Sequence, residues 1–190
     1  MDDLFKVVNV VATASLDRPI NLELLHKRFP RSVRYSQNLY GGRVAYLKVE
    51  SMEGKVSIFR SGKLISIGTK SIEKAIEELK LVAMTLGAKL DTQPKVQSIV
   101  AIADLGKSIN LERIVNEIQE ERGLYVMYEP EQFPGAIIKF PVNESKLATI
   151  LLFSSGKVVC IGLTCYNHIR KALKFLTIKL LELQAAKLHD

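Results

Sequence analysis

The sequence of 190 residues contains an internal duplication, which limits the folds open to it. Ten of 18 positions are identical between KVVNVVATASLDRPINLE (6–23) and KVQSIVAIADLGKSINLE (95–112). Six of ten positions agree between FRSGKLISIG (59–68) and FSSGKVVCIG (153–162). Self-similarity of this length indicates a tandem duplication, and two copies favour a closed pseudo-symmetric pair over a solenoid. We therefore predict two repeats, residues 1–90 and residues 91–190.

Each copy has the same order of secondary-structure patterns. A β-branched run typical of a strand comes first, followed by a short amphipathic helix that Asn21 or Asn110 is placed to cap. Several short strands follow, including the hairpin, and each copy closes on a long amphipathic helix. Ser71 and Gly87 mark the start and the end of the first long helix. This order predicts an α+β fold in which one continuous antiparallel sheet carries the long helices on one face.

Apolar residues occupy both sides of the predicted strands. In the strand 7–14 the odd-numbered and the even-numbered residues are both largely apolar, and the segments 64–67 and 158–161 share this property. Helices cover only one face of a sheet, and a monomer rarely leaves a large apolar patch without a partner. From the pattern alone, the second face is a homodimer interface, a buried sandwich face or a surface for another partner.

Charge and composition narrow the classes of function. The chain has 27 Lys and Arg against 20 Asp and Glu, a formal charge of +7, which makes nucleic acid a candidate partner. Two cysteines and three scattered histidines give no metal spacing, and no catalytic cluster is present, so we predict no metal, no cofactor and no enzyme. No apolar run reaches the ~20 residues of a membrane helix, and acidic residues stand where a signal peptide has basic ones. We therefore predict a cytoplasmic protein without membrane contact.

The SGK sequences of the two hairpins differ from a phosphate-binding loop. Such a loop has the pattern GxxxxGK[ST] between a strand and a helix. Here Lys63 and Lys157 are followed by Leu64 and Val158, the spacing glycine is absent, and a second strand comes next. We interpret both sequences as hairpin turns with a basic tip. A lone turn lysine is ordinarily only solvated, but its duplication at equivalent points favours a function.

Two further sequences carry a family resemblance, YEPEQFPG at 128–135 and LLFSSGKVVCIG at 151–162. Together they resemble the TATA-binding protein family, and the two sequences are most similar to those of archaeal members. The resemblance covers both repeats in order. It implies a pseudo-two-fold saddle with helices on the convex face of the sheet and the concave face on the minor groove of DNA. It also implies two aromatic wedges that each pry open a base step and kink the duplex. The wedge positions are Tyr40 and Phe59 in the first repeat, and Phe133 and Phe153 in the second.

The resemblance also assigns residues to the floor of the DNA-binding face. The family usually places two asparagines and two threonines at its centre to donate hydrogen bonds to base edges. Here Asn9 keeps the first asparagine, and Ser98 replaces the second. Ile67 and Ile161 replace the threonines. Because A·T pairs offer only acceptors in the minor groove, we expect binding by shape with reduced discrimination at the central steps. The apolar floor positions are Val11, Ile65, Val100 and Val159.

Charged positions are implied in the same way. Contacts to phosphates set affinity and its salt dependence without reading sequence. The loop that engages transcription factor B in the second repeat matches Glu129, Glu131 and Gln132, whereas the first-repeat loop YSQNLYGG lacks both acids. The phosphate-contacting positions on the rim of the saddle are Lys63, Lys70, Lys139 and Lys157.

Two functions are compatible with these features. The first is a general transcription initiation factor that binds and kinks the TATA element of double-stranded promoter DNA. It would recruit transcription factor B and, through the initiation complex, RNA polymerase. The alternative is a diverged paralogue that binds DNA with weak sequence preference or acts mainly through protein partners. The changed central donors favour the paralogue, and the retained aromatic residues favour the initiation factor. A homodimer off DNA is compatible with both.

Overall fold

The structure, a computed structural model, describes residues 4–38, 40–121, 123–143 and 146–186. Within these residues the chain forms ten β-strands and four α-helices. It divides into two compact units. The first unit is Val8–Ser98, and the second is Ile99 onward together with the initial residues through Val7. The predicted α+β class, built from two copies of one arrangement, is confirmed.

The first repeat supplies five strands and two helices. In chain order these are β1 (Lys6–Ser15), α1 (Leu22–Arg28), β2 (Val33–Arg34), a 3-10 turn (Tyr40–Gly42), β3 (Val44–Leu47), β4 (Lys55–Phe59), β5 (Lys63–Thr69) and α2 (Ile72–Thr85). The strands lie side by side in the order β2-β3-β4-β5-β1, and their pairs are antiparallel. Helix α2 packs against β4 and β5.

The second repeat follows the same order. Its elements are β6 (Lys95–Asp104), α3 (Leu111–Ile118), β7 (Tyr125–Met127), β8 (Gly135–Asn143), β9 (Lys146–Phe153), β10 (Lys157–Leu163) and α4 (Tyr166–Ala186). The strand order is β6-β10-β9-β8-β7, again antiparallel, with α4 packed against β10. The start of the chain belongs to this unit. The Phe5 ring lies 6.3 Å from the Tyr166 ring, and the Arg170 guanidinium lies 5.8 Å from the centroid of Phe5.

The predicted starts of α1, α2 and α3 are confirmed by their capping contacts. Asn21 Oδ1 accepts a hydrogen bond from Leu24 N–H at 3.1 Å, and Asn110 Oδ1 accepts one from Arg113 N–H at 3.0 Å. Ser71 caps α2 in the same way, because its side-chain oxygen accepts from the third residue of the helix. These bonds satisfy backbone donors that have no partner inside the helix.

In each unit, the sheet has one face covered by helices and one face turned away from them, which we call the open face of that unit. Val10 and Ala12 of β1 are fully buried, whereas Val11 between them is half-buried. In β10, Cys160 is buried on the covered side, and Ile161 lies on the other side with 36% of its surface exposed. The open faces are the second apolar faces that the strand patterns predicted.

The cores of the two units differ at one buried polar cluster. In the first unit the Glu78 carboxylate accepts hydrogen bonds from Gly54 N–H at 2.8 Å and from the Ser66 hydroxyl at 3.3 Å. Glu78 is only 3% exposed. The matching positions of the second repeat hold Cys160 and Ala172, both buried. Burial raises the pKa of the Cys160 thiol to about 11, so this thiol stays neutral at physiological pH.

Candidate nucleic-acid interface

The open face of the first unit carries an apolar patch formed by β1 and β5. In the register of these strands, Val11 lies opposite Ile67, and Thr13 lies opposite Ile65. Val11 and Ile65 are half-buried, and Ile67 is 36% exposed, on the face turned away from α2. Three of the predicted floor residues therefore share one surface.

An equivalent patch lies on β6 and β10 of the second unit. Val100 lies opposite Ile161, and Ile102 lies opposite Val159. Ile102 is 41% exposed, and it was not among the predicted floor residues. Its signal was present, because the alternation in residues 96–102 places Ile102 on the same side of the strand as Val100.

One polar side chain in the first patch has a fixed orientation. Asn9 Oδ1 accepts a hydrogen bond from Gly68 N–H at 2.8 Å, which connects β1 to β5. Because a backbone N–H needs an acceptor, this bond identifies the oxygen of the Asn9 amide and leaves the NH₂ group as a donor. Ser98, the counterpart of Asn9, is half-buried on β6.

The two aromatic residues predicted as a wedge in the second repeat are in contact. The Phe133 and Phe153 ring centroids lie 5.8 Å apart, and the ring planes are inclined by 60°, a favourable aromatic geometry. Gly135 lies opposite Phe153 in the register of β8 and β9. A Cβ built on Gly135 would lie 3.0 Å from Phe133 Cε1 and 3.1 Å from Phe153 Cε1. The rings thus occupy the space that a side chain at Gly135 would need.

In the first repeat, the strands next to the predicted aromatic pair are paired in a different register from their counterparts in the second repeat. Phe59 lies opposite Val44 in the pairing of β3 and β4. The sequence counterpart of Gly135 is Gly42, so this pairing is offset by two residues relative to β8 and β9. An open cavity of about 490 Å³ is lined by Tyr40, Val44 and Phe59, together with Arg43, Tyr46 and Ser57. Tyr40 and Phe59 therefore line a common cleft, whereas Phe133 and Phe153 pack against each other.

Tyr40 occupies a strained and exposed position. Its φ is +51°, a left-handed conformation that costs a non-glycine residue on the order of 1–3 kcal/mol, and its side chain is 69% exposed. Arg60 Nε donates a hydrogen bond to Gly42 O at 3.0 Å and so holds the turn. Burial raises the pKa of the Tyr46 phenol, and the neighbouring Tyr40, with which it shares a hydrogen bond, raises it further. Tyr46 is therefore uncharged at neutral pH.

Lys63 and Lys157 occupy equivalent places in two equivalent hairpins. Each follows a glycine with positive φ, Gly62 or Gly156, whose N–H bonds to the carbonyl of the hairpin phenylalanine at 2.9 Å. Both lysines are exposed, and each is the first residue of its strand. The prediction of hairpin turns with a basic tip is confirmed.

The other two predicted phosphate-binding lysines have partners within the protein. Lys139 Nζ donates a hydrogen bond to Thr149 Oγ1 at 2.8 Å, across β8 and β9. Lys70 Nζ lies 3.7 Å from Glu53 Oε1, and Lys70 N–H donates to the same carboxylate at 2.9 Å. Contact with DNA phosphates would require Lys139 and Lys70 to exchange or share these partners.

The acidic loop of the second repeat lies next to the ring pair in sequence. Gln132 N–H and Phe133 N–H both donate to Glu129 O at 2.9 Å, which folds the loop into a tight turn. Glu129, Glu131 and Gln132 are exposed. The matching loop of the first repeat carries Ser36 in place of the first acid.

Neither a metal cluster nor a membrane span is found in the part of the chain that the structure describes. No group of three or more His, Cys, Asp or Glu side chains within residues 4–38, 40–121, 123–143 and 146–186 could hold a metal ion. The helices in these same ranges are too short or too polar to cross a bilayer.

Comparison with known proteins places these features in a family. The family model described as "Transcription factor TFIID (or TATA-binding protein, TBP)" matches residues 4–88 and 93–183. The TATA-box-binding protein of Sulfolobus acidocaldarius is 34% identical over 186 residues, 95% of this chain and 89% of the relative. The protein of the same name from Methanosphaera stadtmanae is 36% identical over 163 residues, 83% of this chain and 82% of the relative.

A solved structure agrees with the sequence matches. The structure of Methanococcus jannaschii TBP superposes with a TM-score of 0.71 and 31% identity, covering 94% of this chain and 98% of that one. The match of both repeats, the fold and the identity over most of the chain lead to one conclusion: this chain belongs to the TATA-binding protein family.

Proposed function

We propose that the protein is a general transcription initiation factor that binds the TATA element through the minor groove and kinks it. The observation that carries this proposal is the contact between Phe133 and Phe153 at 5.8 Å. Two packed rings above Gly135 form an apolar wedge that fits an opened base step. Unstacking a step costs a few kcal/mol, and the rings offset this cost by replacing base–base contact with base–ring contact.

The open faces suit the floor of a minor groove. The walls of the groove are sugars, and its floor is base edges, so half-exposed aliphatic side chains bury apolar surface there without leaving polar groups unpaired. The fixed NH₂ group of Asn9 matches the acceptors N3 of adenine and O2 of thymine. The aliphatic residues available for this contact are Val11, Ile65, Ile67, Val100, Ile102, Val159 and Ile161.

Charged residues complete the proposed interface. Lys63 and Lys157, exposed beside Phe59 and Phe153, contact phosphates next to the opened steps. Lys70 and Lys139 contribute when they exchange their internal partners for phosphates. The exposed turn with Glu129, Glu131 and Gln132 binds transcription factor B, which brings RNA polymerase to the promoter.

One observation favours the second candidate, a paralogue with weak sequence preference. Ile67 and Ile161, each 36% exposed, have no side-chain donor to offer to a base edge. A DNA complex with these residues at its centre recognises the width and deformability of the groove more than its hydrogen-bonding pattern. The fixed Asn9 amide and the ring pair favour the initiation factor.

The two candidates differ in measured affinity for matched duplexes. Binding of the full chain to a TATA-containing duplex and to a scrambled duplex of equal composition is compared at equal salt, with bending read by energy transfer between end-labelled strands. We expect tighter binding and a larger bend on the TATA duplex. Equal affinity with bending would support the paralogue, and binding without any bend would contradict the role of the ring pair.

A further inference from the structure

Three cations lie near Tyr46 on the first unit. Arg34 lies opposite Tyr46 in the register of β2 and β3, and Lys55 Nζ lies 4.9 Å from the centroid of the Tyr46 ring. Arg43 lines the same cavity as Tyr46. All three cations are exposed. We call these four residues the Tyr46 cluster.

The cations of the Tyr46 cluster occur in one repeat only. At the matching positions the second repeat carries Met127, Ala136 and Thr149. The acidic loop shows the opposite distribution, because Glu129 and Glu131 have no acidic counterparts in the first repeat. The first unit therefore carries three cations in this region, whereas the second carries one, Lys139, which matches Tyr46.

Nothing within the described residues neutralises the cluster. Among the ion pairs formed in the part of the chain that the structure describes, none includes Arg34, Arg43 or Lys55. Tyr46 is uncharged and holds the Lys55 ammonium through a cation–π contact, which positions the charge without cancelling it. The cluster thus presents three positive charges to whatever covers this face.

We propose that the Tyr46 cluster binds the phosphodiester backbone of duplex DNA and extends the DNA contact on the side of the first unit. DNA is favoured over an acidic protein because the cavity lined by Arg43 and Tyr46 is also lined by Tyr40 and Phe59. A duplex that reaches the wedge residues passes this cluster. The proposal rests on the proposed DNA-binding function and adds a site outside the four rim lysines.

A one-sided footprint is the consequence of this asymmetry. Both units contribute a hairpin lysine, so the contacts of Lys63 and Lys157 are distributed over both halves of the site. The Tyr46 cluster adds phosphate contacts to one half alone. Each phosphate neutralised on B-DNA adds about 0.9 to the slope of log K against log salt.

The test uses the full chain with the cluster cations replaced by the residues of the second repeat, Arg34→Met, Arg43→Ala and Lys55→Thr. A charge-matched control carries Lys27→Gln, Arg28→Gln and Lys80→Gln, which alter exposed cations on α1 and α2. Both variants lower the formal charge from +7 to +4. Thermal unfolding verifies that each variant is folded. Affinity for one TATA duplex is measured between low and high salt, and phosphate contacts are mapped by ethylation interference.

We expect the cluster variant to reduce the salt slope by about 2 to 3 and to lose interference on one side of the site only. The control should keep the full interference pattern and lose less than one unit of slope. Equal slopes in the two variants would overturn the proposal. An intact interference pattern in the cluster variant, combined with lost binding of transcription factor B, would also overturn the proposal, because it would assign the cluster to a protein partner. Failure of the unaltered chain to bind or bend the duplex would instead refute the proposed function.

Discussion

A side chain at Gly135 would crowd the Phe133 ring, because a Cβ built on Gly135 lies 3.0 Å from Phe133 Cε1. The contact between the Phe133 and Phe153 rings thus depends on a residue that has no side chain. Because Gly135 has no Cβ, the Phe133 and Phe153 rings pack against the sheet at this position while they remain half-exposed.

Gly135→Ala should displace the ring pair and reduce bending. The new methyl group would meet both rings and Leu152 O, at 3.0 to 3.1 Å, so at least one ring must shift. We expect a smaller bend and weaker TATA binding, measured by energy transfer, with little change in binding to a non-specific duplex. The control Ser154→Ala alters an exposed hairpin residue. Wild-type bending by the alanine variant at Gly135 would show that the ring geometry does not matter.

Phe153→Ala should abolish most of the bend. Phe133 alone cannot fill an opened step, because the wedge needs both rings to offset a few kcal/mol of unstacking. Specific affinity should fall strongly, and salt-driven non-specific binding should stay nearly intact. A gel or fluorescence bend assay on one TATA duplex measures this. Full bending would place Phe153 in the core rather than in the interface.

Lys63→Ala and Lys157→Ala should each weaken binding to all duplexes about equally. Phosphates carry no base identity, so loss of one contact lowers the salt slope by about one and leaves sequence preference unchanged. Titrations of TATA and scrambled duplexes at several salt concentrations test both statements together. A changed preference at constant slope would assign these lysines to base edges instead.

Tyr40→Phe should leave DNA binding unchanged or strengthen it. Removal of the hydroxyl deletes a polar group that base stacking cannot satisfy. The same change removes the hydrogen bond and the charge interaction by which Tyr40 raises the pKa of Tyr46. Alkaline absorbance titration should therefore show the pKa of Tyr46 falling, although it stays above its ordinary value because burial remains. An unchanged titration would mean that the two hydroxyls do not interact.

Glu78→Ala should destabilise the first unit. It leaves Gly54 N–H and the Ser66 hydroxyl without their acceptor, and each unsatisfied buried group costs about 1–3 kcal/mol. We expect a loss of about 2–4 kcal/mol in the free energy of unfolding by urea. Lys80→Ala, an exposed change on the same helix, should cost less than about 0.5 kcal/mol. A loss no larger than that of this control would make the buried cluster energetically irrelevant.

The duplication, the capped helices and the basic hairpins could be predicted because each depends on local residue types. Asparagine at the residue before a helix generally caps it, as Asn21 and Asn110 do here. Gly62 permits the turn before Lys63. The register beneath Phe59 could not be predicted. YGG and FPG look alike as turns, but the left-handed turn at Tyr40–Gly42 shifts the strand pairing by two residues.

Long-range contacts are a second kind of feature that the sequence does not predict. The hydrogen bond from Lys139 to Thr149 depends on the pairing of two strands, and the Tyr46 cluster depends on three. Neither leaves a periodic signal along the chain. The fold class and the positions of the ring pair could therefore be predicted, whereas the partners of the lysines and the cleft at Tyr40 depend on how distant strands pair in the folded protein.

The contact between Phe5 and Tyr166 imposes an order on folding during synthesis. Phe5 leaves the ribosome before Val8–Ser98, and the ring it packs against emerges after that segment. Contacts between residues so distant in sequence form late, because the entropy of closing the intervening loop must be overcome first. Val8–Ser98 has its own strands and can fold ahead of the rest. Phe5 accordingly joins the second unit only after Tyr166 has been synthesised, so a segment that precedes the first unit in sequence takes part in a later step of assembly.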